Sequence, residues 1–179
     1  MRHGDEELMQ EVADGDMDAF GELVRRHQDA AWRTAYHYVG DRAEAEDLAQ
    51  EAFLKILDAA SSYRPTARFS TYLYRVIANL CIDYHRKRRP HYPGEMPPQE
   101  SPLDEPDTQL KAKERDRAIQ RALEELPDRQ RMAVVLCYFE DLPLAEIAEA
   151  MDTTYKAVER LLARARKSLA PHLEGFFGK

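Results

Sequence analysis

The heaviest concentration of one chemistry in this chain is Tyr84-His85-Arg86-Lys87-Arg88-Arg89, four successive cations behind a tyrosine and a histidine. Guanidinium and ammonium groups gathered like this neutralise phosphates and release their condensed counterions, the electrostatic footprint of nucleic-acid binding. The cluster ends a stretch, FSTYLYRVIANLCIDYHRKRR, in which Tyr72, Tyr74 and Tyr84 are interleaved with Arg75, Asn79 and the terminal cations. Rings stack on unpaired bases at about 1–3 kcal/mol each while arginines follow the backbone, which is a chemistry for holding a single strand. With Arg64 and Arg68 included, residues 64–89 carry seven cations against Asp83, a net of +6 in a chain whose formal charge is −7.

A second set lies near the C-terminus. In PLAEIAEAMDTTYKAVERLLARARKSL a short helix, a tight turn and a longer helix follow one another with helix-turn-helix spacing. Val158, Leu161, Leu162, Ala165 and Leu169 share one face and are expected to pack inward. That turns Lys156, Glu159, Arg160 and Lys167 outward, with Thr154 and Tyr155 at the helix start. Recognition helices read base edges with their N-terminal residues, and here Arg164, Arg166 and Lys167 would hold phosphates.

The remaining inventory argues against catalysis. No HExxH, no CxxC and no glycine-rich phosphate loop appears, and there are only 7 glycines. His3, His27, His37, His85, His91 and His172 are scattered, and Cys81 and Cys137 lie far apart and read as reduced thiols. The expectation is therefore no catalytic residue, no metal, no cofactor and no small-molecule substrate. No cationic stretch followed by an apolar run opens the chain, and the apolar run 132–139 is far short of the ~20 residues of a membrane span, so a soluble, cytoplasmic protein is expected. Residues 1–58 hold 15 acids against 6 cations, and this acidic part must face something other than DNA, or only water.

Helices must position all of these groups, since apolar residues recur at helical spacing and no strand alternation is evident. The fold class expected is all-α. Phe20, Leu23, Val24, His27, Ala31 and Ala35 stripe a helix over about 18–39 that Gly40 ends. Asp41 with Glu44 then has the form of a capping box for a helix to about residue 60, with Leu48, Ala52 and Leu57 as core candidates and Asp47, Gln50 and Glu51 more exposed. Residues 61–69 read as a loop, and Ser70 is placed to cap a helix over about 71–88. Six of the 10 prolines fall between Pro90 and Pro106 among repelling acids, which predicts an extended, flexible linker over 90–110. It divides the chain into residues 1–89 and 111–179, the second with helices near 110–126, 128–139, 143–151 and 154–172.

Taken together and in this order, the segments resemble a bacterial RNA polymerase sigma factor of the extracytoplasmic-function (ECF) group of the sigma-70 family, over nearly the whole chain. DRAEAEDLAQEAFLKIL is similar to the polymerase-binding helix of sigma domain 2, and RFSTYLYRVIANLCIDYHRKRR to its promoter-melting and minus-10 part. LPDRQRMAVVLCYFEDLPLAEIAEAM with KAVERLLARARKSL is similar to sigma domain 4. The resemblance implies two small helical domains, binding to core RNA polymerase, and initiation at promoters of a stress-response regulon under the control of an anti-sigma factor. It implies that Asp47, Gln50, Glu51 and Leu54 dock on the clamp coiled coil of the largest polymerase subunit. It further implies that Arg64, Arg68, Tyr72, Arg75, Asn79, Tyr84, Arg86, Lys87, Arg88 and Arg89 engage the melted non-template strand of the minus-10 element. There the loop 61–69 would shape a pocket for a flipped base, whose unstacking costs a few kcal/mol. Thr154, Tyr155, Lys156, Glu159, Arg160, Arg164, Arg166 and Lys167 would read the duplex minus-35 element.

Three positions depart from the family pattern. Tyr72 stands where tryptophan is frequent, Asp152 where the turn commonly has glycine, and Glu159 where lysine is frequent. Aspartate tolerates left-handed backbone, so the turn is expected to survive; Glu159 can accept from a cytosine amino group or repel phosphate at wrong sequences. A helix-turn-helix repressor that never meets polymerase is the rival reading. It would need a dimerisation or ligand-sensing surface in the first half, where the clamp-like helix stands instead.

Overall fold

The computed structural model describes the backbone of residues 4–88 and 107–177 and the side chains of 4–88 and 114–172; Arg89, the linker expectation over 90–106, His3 and His91 lie outside the described residues. Eight α-helices and no strand occur among the described residues: α1 Asp5–Ala13, α2 Met17–Val39, α3 Arg42–Asp58, α4 Phe69–Arg88, α5 Asp107–Glu124, α6 Asp128–Val134, α7 Leu144–Ala150 and α8 Tyr155–Phe177. A 3-10 turn, Ala60–Ser62, follows α3, and a π-helical turn, Val135–Phe139, follows α6. None of these helices is long and apolar enough to cross a membrane.

Helix α2 is the axis of the first body and packs against α1, α3 and α4. Its start is fixed by Asp16, whose carboxylate accepts from the Asp18 and Ala19 amides at 2.8 and 3.1 Å. At its end Gly40 takes φ 78° and donates its N–H to the Tyr36 carbonyl at 2.8 Å. Asp41 caps α3 by accepting from Glu44 N at 2.9 Å, one half of the capping box that the sequence anticipates. A Cβ on Gly40 would carry the left-handed penalty of ~1–2 kcal/mol and lie 3.4 Å from the Gln120 amide oxygen of α5. Gly40→Ala is expected to cost about 1 kcal/mol, seen as a lower urea midpoint with an unchanged m-value.

Three local expectations are corrected, and one helix is added. Helix α1 is not anticipated by the sequence. Helix α4 begins at Phe69, so Ser70 lies within its first turn and does not cap it; the Glu6 carboxylate of α1 accepts from Phe69 N–H at 2.9 Å instead. Residues 107–110, read as linker, already belong to α5. The helix read over 128–139 changes to π geometry at Val135, where Glu140 N–H reaches the Val135 carbonyl five residues back at 3.3 Å.

The second body packs α6, α7 and α5 on α8. The two bodies touch: α4 lies against α6 and α7, and α2 against the π turn and α5.

Candidate nucleic-acid interface

Helix α4 buries Phe69, Leu73, Ile77 and Cys81 and leaves Arg75, Asn79 and Arg86 exposed on another face. Burial pushes the Cys81 thiol well above its ordinary range, which suits packing and not redox chemistry. Tyr72 is half-buried on the edge of the exposed face, its ring 5.2 Å from Tyr63 and 6.5 Å from Phe69. Burial raises the pKa of both the Tyr63 and Tyr72 hydroxyls. Tyr63, which the sequence does not single out, thus joins Tyr72 at the mouth of the loop that carries Arg64. The Arg64 side chain is exposed and donates to the Tyr63 carbonyl at 3.1 Å.

At the far end of α4 the cations are less open than their density suggests. Arg86 pairs with Asp83 at 2.7 Å. Arg88 contacts both the Tyr84 hydroxyl and the Glu44 carboxylate, with its guanidinium carbon 5.3 Å from the Tyr84 ring centre. Arg88 thus lies over the Tyr84 ring, which is half-buried. Lys87 projects into solvent. Tyr74, expected among the interleaved aromatics, is buried and its hydroxyl donates to Glu140 at 3.0 Å; burial first, and the carboxylate second, raise its pKa.

Helix α8 carries the second reading surface. Asp152 takes φ 47°, so the turn keeps its left-handed residue without glycine. Thr154 Oγ1 accepts from Ala157 N–H at 3.2 Å and caps the helix. Val158, Leu162, Ala165 and Leu169 are buried and Leu161 half-buried, while Thr154, Tyr155, Lys156, Glu159, Arg160, Arg164 and Lys167 are exposed. Arg166 is set apart: its Nε donates to the Tyr138 hydroxyl at 2.8 Å. With Arg115 it borders an apolar groove of about 440 Å³ lined by Ile119, Leu123, Phe139 and Leu169.

Helix α3 presents Asp47, Gln50, Glu51 and Leu54 together on one exposed face, because i, i+3, i+4 and i+7 share a stripe. Leu54 is 59% exposed, one of four large apolar side chains in that state among the described residues. Glu51 has a loose ion pair with Lys55 at 3.8 Å.

The seam between the two bodies is not anticipated by the sequence. Glu140, its side chain 1% exposed, accepts from Arg33 of α2 at 2.9 and 3.3 Å and from Tyr74 of α4. The hydrogen bond to Glu140 raises the pKa of Arg33. Arg131 of α6, 1% exposed, donates to the Tyr38 carbonyl at 3.2 Å and the Glu124 carbonyl at 2.6 Å, 5.1 Å from the Tyr38 ring. His85 pairs with Asp128 at 2.7 Å, and His37 stacks on Phe139 at 3.9 Å. Arg75 donates twice to the Glu149 carbonyl of α7, at 3.2 and 2.9 Å, and Arg68 approaches Glu146 at 3.8 Å.

Known proteins share this arrangement. Residues 23–91 match the profile of Sigma-70 region 2 and residues 116–169 that of Sigma-70, region 4. The chain is 32% identical to the ECF RNA polymerase sigma factor SigW of Bacillus subtilis, across 92% of this chain and 94% of that one. It is 33% identical to the ECF RNA polymerase sigma factor SigM of Mycobacterium tuberculosis, across 93% and 83%. CnrH, solved in complex with the cytosolic domain of CnrY, matches with a TM-score of 0.74 at 25% identity over 96% of this chain and 98% of that one.

Proposed function

The chain belongs to the ECF group of the sigma-70 family, transcription initiation factors, and on that premise we propose that it binds core RNA polymerase through α3 and brings it to promoters with two separate DNA readers. Residues 1–89 engage the minus-10 element and residues 111–179 the minus-35 element. The observation that carries this reading is the pairing, in one chain, of an α4 face that exposes Arg75 and Asn79 with Tyr72 half-buried at its edge, and a helix-turn-helix whose α8 exposes Lys156, Glu159 and Arg160. The first suits bases already unstacked; the second suits a duplex major groove. Tyr63 and Tyr72 border the place where a flipped base would stack, and Asn79, two turns along, offers an amide to its neighbour. Reconstitution with core polymerase, followed by sequencing of transcript starts and alignment of the DNA upstream, tests the reading; starts without common upstream elements would sink it.

The two readers should fail differently. Arg160→Ala is expected to cost about 1–3 kcal/mol of binding and to relax preference only within the upstream element. Tyr72→Ala and Asn79→Ala should leave closed-complex binding nearly intact and slow strand opening, because their targets exist only once the strands part. Gel shifts beside permanganate footprinting of unpaired thymines separate these outcomes. Loss of melting by Arg160→Ala on a promoter already bound would refute the division.

Restraint by an anti-sigma protein is part of the proposal. The solved relative carries a partner's cytosolic domain. The groove beside Phe139, apolar with Arg115 and Arg166 at its border, suits an amphipathic partner helix with acidic flanks.

A further inference from the structure

We propose that α1 is part of the minus-10 reader: Glu6 is a positioning residue that caps α4 from outside and so sets where Tyr72 stands beside the loop that borders the flipped base. The inference rests on the promoter-reading function proposed above and adds to it a residue from a helix that neither reading surface includes. Its ground is an imported cap. The carbonyl of Arg68 accepts the first bond of α4, from Tyr72 N–H at 3.1 Å, which puts Arg68 at the cap position. An arginine side chain has no acceptor to offer the free amides of a first turn. Glu6 of α1 supplies one: its carboxylate accepts from Phe69 N–H at 2.9 Å, across 63 positions of sequence. A carboxylate there also meets the positive end of the α4 dipole.

The helix that carries this carboxylate is itself anchored. Next to Glu6, Asp5 accepts from Arg26 at 2.8 Å and meets His27 Nε2 at 2.7 Å, both on α2, and Leu8, Met9 and Val12 of α1 are buried. The His27 ring in turn lies 5.0 Å from that of Phe69, whose side chain is wholly buried. Helix α1 also packs on the turn Ala60–Ser62 that precedes Tyr63. It therefore grips the loop 61–69 at both ends, by the turn at its start and by the Phe69 amide at its finish. Between these points the Tyr63 and Tyr72 rings stand 5.2 Å apart. The Tyr63 hydroxyl is enclosed without a hydrogen-bond partner among the described residues; burial first, and the Glu6 charge second, raise its pKa, so the α1 acid stands near this ring too. Tyr72 closes the first turn of α4, the part of a helix that frays when its amides are left free, and fraying there would shift it against Tyr63. Asn79 sits deeper in the helix, where the backbone ladder holds it.

The test uses the full chain, free and as holoenzyme on a promoter taken from its own sequenced transcript starts. In the free protein Glu6→Ala should speed hydrogen exchange at the Phe69 amide about fivefold, the shift that loss of an ordinary helix cap brings, with helical circular dichroism unchanged. In the holoenzyme it should leave closed-complex affinity as in the parent and slow strand opening by up to about fivefold, the limit reached when the uncapped turn is mostly frayed. Glu6→Gln keeps an acceptor oxygen and should restore most of the opening rate; a glutamine variant as slow as the alanine one would overturn the cap as the cause. Glu6→Ala and Tyr72→Ala together should open no more slowly than Tyr72→Ala alone, because the cap acts through the placing of that ring. Losses that simply multiply would reduce Glu6 to general stability and overturn the positioning role. Faster exchange with an opening rate equal to the parent's would overturn it too, and an unchanged exchange rate would overturn the cap itself. If Tyr72→Ala left opening unaltered, the minus-10 reading would fail and the role of Glu6 there with it, while faster exchange at Phe69 would still establish the imported cap.

Discussion

Asp47→Arg combined with Glu51→Arg is expected to weaken binding to core RNA polymerase by at least about 100-fold, the cost of losing two interface positions worth roughly 1.5–2 kcal/mol each. Both side chains stand on the exposed face of α3 and neither is part of the core beneath it, which Ala45, Leu48, Ala52 and Ile56 form. The loose Glu51–Lys55 pair is an exposed one and worth little to the fold. Thermal unfolding should therefore be nearly unchanged, and the effect should fall on association. Charge reversal acts chiefly on the encounter rate and its salt dependence. Leu54→Ala should instead raise the dissociation rate, because a large exposed apolar side chain gains most when a partner covers it. Co-elution with purified core on size exclusion gives the qualitative result, and fluorescence anisotropy titration at two salt concentrations gives the rest. A double variant that binds core as tightly as the parent would mean that α3 docks nothing with this face.

What the sequence discloses here follows the range of the interactions involved. The end of α2 is readable because Gly40 and Asp41 act within four residues of themselves, and the inward face of α8 because Val158, Leu162, Ala165 and Leu169 repeat at helical spacing. Asp152 is readable for the same reason: a left-handed residue is a local demand. Ser70 misleads, since the true partner of the Phe69 amide is Glu6, 63 positions away on a short helix with only Leu8, Met9 and Val12 buried. The Arg33–Glu140 pair spans 107 positions, and nothing in the spacing of either residue indicates the other. Tyr84 is a different case. Arg88 follows it by four, and a cation at i+4 from a ring is a pattern open to reading as mutual cover. The face of α3 is legible as exposed; its use by a partner comes from the family resemblance, and Leu54 is the feature of the structure that supports it.

Replacing Arg86, Lys87, Arg88 and Arg89 by glutamine should flatten the salt dependence of promoter binding by the holoenzyme by about 2–4 units of log affinity per log salt, at roughly 0.9 for each duplex phosphate no longer neutralised. The range reflects what these cations already touch. Arg86 is paired with Asp83 and Arg88 with Glu44, yet both arginine side chains are more than half exposed, so these surface pairs exchange readily for phosphate. Lys87 has no ion partner among the described residues and should contribute its full share. Asp83→Asn serves as the counter-test, because freeing Arg86 should strengthen binding slightly at low salt. Cations at a helix C-terminus also favour the helix dipole, by about 0.3–1 kcal/mol each, so the thermal midpoint of the glutamine variant must be followed alongside. The free protein, at a net −7, should bind duplex weakly with or without the substitutions, since its overall field opposes the encounter until polymerase adds its own grip on the DNA. A holoenzyme slope left unchanged by all four replacements would reduce the cluster to a solvated helix end and remove the phosphate grip from the minus-10 reader.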